Sequence, residues 1–491
     1  MAEIIYWLGD ASDTTAVVVV KSDTAGTVGI SCNGQNDSVS VNPAVDYGIA
    51  KLSITGLAAD TTYPFTLSGI QTVTGVIKTM PAGGTWNFGW GSCININNTQ
   101  MYGYQLVLDH NIKAFFSLGD LPYNDGAIPM VVQMRWSLGG AIAGAYDAWG
   151  NGRIAYDEVY DYFYHTPGFA YLSNHTPMYQ LPDDHQYGND WDWTPEWATL
   201  FTALTTQSNV DIAGGYANAS AWSWNMGNPA NNDAEAGDWK PSACLDAESN
   251  HPPKYYRKTI AQVEFFHLDF IAHTDPDAKV DSFKTVCIDN ATWNAELGFT
   301  YSDPSVAALA KTRLGPKQLN WLLTRLQSST ATFKVIVSGK HTYQGNATSD
   351  NKGWRGWDQE RDYILSFIKR YVTGVMWIAG DVHTPSVINH LSGHCSINSS
   401  PLGQATWLSN SGVVGYLAGF TEGMVWRGNG ASGSAATTGL VKNTYGVCEV
   451  TDAYLHPMLY AENGNLLWQG YLRAGENFLR ADPADMAGEW A

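Results

Sequence analysis

The sequence lacks any apolar stretch near the roughly twenty residues that a bilayer-spanning helix needs; the valine run at 17–20 is strand-sized. It opens Met1-Ala2-Glu3, with neither the basic region nor the apolar segment of a secretory leader. The chain as given therefore reads as soluble, with its localisation unknown, since a leader removed earlier leaves no mark. Basic residues are scarce, 27 Lys and Arg against 46 Asp and Glu, for a net charge of −19. Nothing would offset phosphate repulsion along a duplex, which argues against nucleic-acid duplex binding and makes hard cations plausible partners instead. Cysteine is thinly spread, at 32, 93, 244, 287, 395 and 448, without CxxC or zinc-finger spacing, so the redox compartment stays open. No internal repeat and no low-complexity tract interrupts the chain.

What is there, over 491 residues, is enough for a large core and two or three domains. Residues 4–80 are rich in Val, Thr, Ser and Gly. Short alternating runs at 15–21, 27–32 and 38–41, separated by turn residues, predict a small β-sandwich. The stretch 54–63, with Gly56-Leu57 and Thr61-Thr62-Tyr63, resembles the tyrosine-bearing strand corner of fibronectin type III-like domains. Pro81-Ala82-Gly83-Gly84 is a breaker-rich join and a natural boundary. Beyond it strands alternate with helical patterns, the mark of an α/β layered domain. Leu319, Leu322, Leu323 and Leu326 follow Gly315-Pro316 at helical spacing, and Tyr363, Ile364, Phe367 and Ile368 repeat it. Residues 131–247 are dense in Trp, Tyr, Gly and Asn and poorly periodic. A segment of that kind usually surrounds an active site, and its aromatics either stack on substrate or pack the loops together.

The chain is organised around 114–123, AFFSLGDLPY, an apolar strand that ends abruptly in Gly119-Asp120, with Tyr123 behind a proline. A carboxylate at the carboxyl end of a buried strand needs a partner or a metal; an aspartate capping a following helix is the other reading. The same grammar recurs at 86–93 (WNFGWGSC), 178–185 (MYQLPDDH), 333–341 (FKVIVSGKH) and 375–383 (VMWIAGDVH). In an open α/β sheet neighbouring strands end side by side, so five such ends converge on one crevice and read as one polynuclear metal centre. A carboxylate such as Asp120 can bridge two cations through its two oxygens, and a bridged pair suits phosphoryl transfer. Thiolate and phenolate donors, Cys93 and Tyr123, favour ferric iron, whereas Asp184 and Asp381 suit calcium.

Gly91-Ser92-Cys93, Gly119-Asp120-Leu121-Pro122-Tyr123, Asp183-Asp184-His185 with Asn189-Asp190, Tyr256-Arg257, Leu268-Asp269, Leu314-Gly315-Pro316-Lys317-Gln318 with Trp321-Leu322, Trp354 with Gly356-Trp357 and Glu360-Arg361, and Gly380-Asp381-Val382-His383 follow one another in the chain. That ordered set resembles the signature of PhoD-type alkaline phosphatases/phosphodiesterases, members of the calcineurin-like metallophosphoesterases, from about residue 86 to 472. The resemblance implies an α/β fold of the αββα metallophosphoesterase sandwich type over residues 84–491. Before it, residues 1–83 would form a small all-β fibronectin III/immunoglobulin-like sandwich. It implies Fe(III) held by Cys93, Asp120, Tyr123 and His383, with Asp120 bridging to Ca2+. Asp184 and Asp381 would ligate that calcium and Asn189 would stand near a second calcium or the substrate, with other divalent metals as substitutes. His185 would steady the transition state or protonate the leaving group, making His185 and Asp120 the catalytic residues. His341 matches a strand-end histidine of the wider superfamily and would contact substrate; a surface or core role is its alternative. Gln186 and Asn124 stand where the family usually carries acidic residues, a departure that bears on substrate preference and metal affinity.

The function expected is a metal-dependent phosphoric ester hydrolase acting on phosphate mono- and/or diesters, small or polymeric, through a metal-activated hydroxide. Relatives of this type are often exported. The alternative is a binding or structural surface or particle protein built on an inert phosphoesterase scaffold. Against it, an inert descendant has no physical reason to keep Cys93, Tyr123 and Asp120 together. Oligomeric state has no signature in the sequence.

Overall fold

The computed structural model describes residues 3–43, 48–94, 102–121, 163–181, 183, 255–270, 274, 311–340, 342, 354, 357–381, 383, 385–390, 394–399, 402, 424–427 and 443–480, and the architecture below is that of these residues. No helix among them is long and apolar enough to cross a membrane.

The first seven strands form an all-β sandwich of two antiparallel sheets. One sheet holds β1 (Ile4–Ala11), β2 (Ala16–Ser22) and β5 (Ile49–Ile54). The other runs β4 (Gln35–Val41), β3 (Gly26–Cys32), β6 (Thr62–Gly69), β7 (Val73–Lys78). Period-2 alternation sorts β2: Val18 and Val20 enter the core shared with the second sheet, while Val19 faces the other way. Tyr63 accepts the Ala58 N–H on its hydroxyl at 2.8 Å, which fixes the corner leading into β6.

Two further sheets form a mixed α/β body. The larger has the order β10 (Met178–Gln180), β9 (Ile112–Ser117), β8 (Trp86–Gly91), β18 (Thr444–Val450), β19 (Tyr454–Ala461), β21 (Tyr471–Arg473), β22 (Leu479–Arg480), with β20 (Leu466–Gln469) also paired to β19. The other has the order β11 (Tyr256–Ile260), β12 (Val263–Leu268), β13 (Phe333–Ser338), β14 (Val375–Ala379), β16 (His394–Asn398), β15 (Ser386–His390), β17 (Met424–Arg427). The strands that carry the candidate ligands are thus divided between two sheets, β8–β10 in one and β13–β14 in the other, and not set in one open sheet. The reason is visible in the core: both faces of these strands are apolar, so each sheet needs a cover on either side.

Inward-facing Phe88, Phe116 and Phe265 fill the space between the sheets, with Phe88–Phe116 edge-on at 5.6 Å and Phe116–Phe265 stacked at 4.1 Å. The outer face of the second sheet, including Phe266, Ile336 and Trp377, packs under α2 (Gly315–Ser328) and α3 (Asp358–Tyr371). On the opposite side α1 (Pro167–His175) packs with Phe115 and Ile112 of the larger sheet and with Trp7 and Val19 of the sandwich. Buried residues of the sandwich and of both sheets belong to one continuous apolar cluster. Polar contacts pin the sandwich as well: Asp10 takes Lys258 Nζ at 2.6 Å and the Tyr179 hydroxyl at 3.0 Å.

His267, fully buried on β12 and stacked on Tyr256 at 4.0 Å, sits in this intersheet layer with no hydrogen bond to either ring nitrogen among the described residues. Burial holds its pKa well below the ordinary value. A depressed histidine pKa means the unfolded chain binds the extra proton first, so stability falls as pH drops below about 6.5, by up to about 1.4 kcal/mol per pH unit. Urea unfolding between pH 7 and 5 should show that slope, and His267→Phe should flatten it; an unchanged slope in the variant would assign the acid sensitivity to other groups.

Candidate metal centre

Parallel pairing of β8 with β9 and of β9 with β10 brings their carboxyl ends together, as does that of β12, β13 and β14 in the facing sheet. The residues just past these ends are shaped by unusual backbone. Cys93, Asp120 and Asp381 all lie in the left-handed region, at φ +61°, +54° and +64°. For non-glycine residues such conformations cost about 1 kcal/mol or more each, persist where the surroundings over-determine them, and gather at functional sites. Here the surroundings are backbone bonds between the two turns: Cys93 N–H donates to Gly119 O at 3.2 Å, Ile94 N–H to Asp120 O at 2.9 Å and Leu118 N–H to Gly91 O at 2.9 Å. Gly119 is required twice over, by its φ of +100° and because a Cβ there would stand 2.4 Å from the Cβ of Asp183.

The result is a buried group of three carboxylates. Asp120, Asp183 and Asp381 present oxygens that all lie within 4.8 Å of one another, and each residue is at most 1 % exposed. Cys93 adjoins it, with Sγ 3.5 Å from Asp120 Oδ2, 3.8 Å from the Asp381 carbonyl oxygen and 3.2 Å from Ser92 Oγ. Lys340 places its ammonium 2.9 Å from Asp183 Oδ1 and 3.0 Å from Asp381 Oδ1. At these separations each pair of ionised carboxylates repels by about 3 kcal/mol even at an effective dielectric of ~20. Asp183 Oδ2 and Asp381 Oδ2 are buried, and among the described residues no hydrogen bond to either oxygen is seen. Acidic oxygens packed this way beside a thiol fit a metal ion, which would supply the charge and the coordination they need.

Of the residues expected from the sequence, Cys93, Asp120 and Asp381 are brought together. His383 is buried two positions beyond Asp381. Tyr123, Asp184, His185, Asn189 and His341 lie outside the described residues. Two members of the group were not singled out from the sequence: Asp183, whose neighbour Asp184 drew the attention, and Lys340, inside the Ser-Gly-Lys-His strand end. Other residues that carry the family resemblance are structural. Gln318 on α2 clamps Asp269 both ways, accepting its N–H on Oε1 and donating Nε2–H to its carbonyl, each at 2.8 Å. Glu360 on α3 is fully buried and receives Thr312 Oγ1–H at 2.5 Å and Arg313 N–H at 2.6 Å.

Two facing sheets between helical layers, with carboxylates gathered at the strand ends, define a metallophosphoesterase-type fold. The chain belongs to the PhoD-like phosphatases, whose family profile matches residues 88–403, and it is therefore a phosphatase. Among solved structures, that of PhoD is similar over 97 % of this chain and 91 % of its own, with a TM-score of 0.65 at 15 % identity. A purple acid phosphatase from seeds of yellow lupin (Lupinus luteus) is similar over 96 % of this chain and 74 % of its own, with a TM-score of 0.53 at 10 % identity. At such identities the likeness concerns the fold. A search of curated protein sequences gave no significant match.

Proposed function

We propose that this phosphatase hydrolyses phosphate mono- and/or diesters at a heterometallic centre of Fe(III) and one or two Ca2+, and the observation that carries the reading is the buried carboxylate group beside Cys93. Asp120 adjoins both the thiol and the other two carboxylates, and its two oxygens would be able to serve two cations. Cys93 and His383, with Tyr123, would hold the softer ion; Asp183, Asp184 and Asp381 offer the oxygen ligands that calcium prefers. When bound, such a pair supplies Lewis acidity toward the phosphoryl oxygens and toward a water nucleophile. The chain's own part is then to place and protonate: Asn189 and His341 would orient the ester, and His185 would donate a proton to the leaving oxygen. The carboxylates are buried at the ends of strands whose side chains, Phe116 and Trp90 among them, enter the apolar core, and a low local dielectric there would strengthen each of these contacts.

The direct test is turnover of a chromogenic monoester and a diester at alkaline pH in calcium, on protein whose iron and calcium content has been measured. Absence of hydrolysis of both by the loaded protein would sink the assignment. Colour is a second readout, because thiolate or phenolate on ferric iron gives a charge-transfer band in the visible that calcium, magnesium or zinc cannot. Concentrated protein should be coloured and bleached by dithionite; an active, colourless, iron-free protein would refute the iron assignment alone.

A further inference from the structure

Lys340 has no role in the reaction as set out above, yet it is built into the centre. Its side chain is only 8 % exposed and bridges Asp183 and Asp381. The turn that delivers it is tightly specified. Lys340 N–H donates to Ser338 Oγ at 3.2 Å, and the same hydroxyl donates back to the Lys340 carbonyl oxygen. Between them, Gly339 lets the strand end approach Asp183, since a Cβ there would meet Asp183 Oδ2 at 2.9 Å. The contacts also divide the centre into two halves. On one side Cys93 Sγ adjoins Asp120 Oδ2; on the other the ammonium spans the two remaining carboxylates.

We propose that Lys340 is an internal counter-cation for the second metal position, holding Asp183 and Asp381 when that position carries no ion and competing with a divalent cation for them. The inference rests on the metal-centre reading above. Its physical basis is repulsion: the ammonium sits 2.9 and 3.0 Å from the Oδ1 atoms of the two carboxylates whose Oδ2 atoms face the metal position, so a calcium ion held there would stand a few ångströms from a second cation in a buried site. That repulsion favours displacement of the ammonium from the carboxylates when the second ion binds. The second position is accordingly weakened by the lysine charge. The arrangement also explains how three buried carboxylates are tolerated during folding, before any metal arrives.

The test reads ion binding and not turnover. Protein retaining its tightly bound metal but stripped of calcium is titrated with Ca2+ by calorimetry and equilibrium dialysis, as wild type and as Lys340→Met, which keeps the chain length and removes the charge. The variant should bind calcium at least tenfold more tightly. It should also melt below wild type without calcium and regain the deficit when saturated, by linkage. Calcium affinity unchanged or weakened in Lys340→Met would overturn the proposal and make the lysine a mere orienter of the carboxylates. Should that variant not fold, wild type alone decides. Reductive methylation followed by peptide mass spectrometry should show Lys340 protected without calcium and labelled at saturating calcium, and equal protection in both states would overturn the proposal. A protein that releases Lys340 on calcium binding but hydrolyses no phosphate ester would refute the proposed reaction and leave this inference standing; an active enzyme with an unresponsive Lys340 would do the reverse.

Discussion

Asp120→Asn should lower kcat by at least ~10³-fold while leaving the fold intact, the scale expected when a preorganised electrostatic group is removed. The substitution is isosteric, and asparagine tolerates the left-handed backbone at φ +54° about as well as aspartate does. The Ile94 N–H to residue 120 carbonyl bond involves only backbone and is retained. What disappears is one of three mutually repelling charges and the carboxylate next to Cys93. Two thermal measurements therefore separate a metal effect from a folding effect. Chelation should lower the melting temperature of the wild type, because it strips the cation that offsets the buried charge. In Asp120→Asn the chelated form should melt no lower than chelated wild type, since repulsion is relieved, and metal analysis should show the transition metal lost. Near-normal activity in the variant would remove Asp120 from the centre of the mechanism.

The largest stability effect is expected at Glu360, far from the reacting groups in role though close to them in the family signature. Its carboxylate is fully buried at the start of α3 and accepts Thr312 Oγ1–H, Arg313 N–H and, at 3.4 Å, Leu314 N–H, so it ties the loop that opens α2 to the neighbouring helix. The same loop is held from the other side by cation–π stacking of Arg313 and Lys311 on Trp357, at 4.4 and 4.3 Å. Glu360→Ala leaves these buried donors without their acceptor and should cost about 3–5 kcal/mol. Glu360→Gln keeps an acceptor oxygen and should cost roughly half as much. Denaturant unfolding of the two variants checks the order, and metal content per folded molecule should stay at the wild-type value. A loss below about 1 kcal/mol for Glu360→Ala would mean that the two helices are held by packing alone.

The sequence by itself determined the kind of elements and where they stop. Period-2 alternation marks β2 and β3, leucine spacing marks α2, and the breaks at Gly91, Gly119 and Gly380 mark strand ends that carry Cys93, Asp120 and Asp381, because these signals are local and steric. The ordered motifs pointed to the metallophosphoesterase fold and its phosphatase family for the same reason, as each motif is a short stretch with its own backbone demand. The closing strands β18 and β19 were less legible: β19 alternates half-buried and buried residues cleanly, but Pro457 within it argues locally against a ladder.

Only the tertiary structure decided which charges share a site. Asp183 and Asp184 are equivalent by composition and adjacent in sequence, and β10 ends at Gln180, so no ladder fixes the side-chain phase at 183; contact with Gly119 and Gly339 from other strands sets Asp183 against Asp120 and Asp381. The division of the ligand-bearing strands between two sheets likewise follows from long-range packing, since a strand apolar on both faces carries no mark of its partner. Gln318 and Glu360 became structural clamps, and Lys340 a cation inside an acidic group, through hydrogen bonds and ion pairs to residues far away in the chain. Sequence periodicity is blind to such contacts because they depend on how finished elements dock, not on how each element forms.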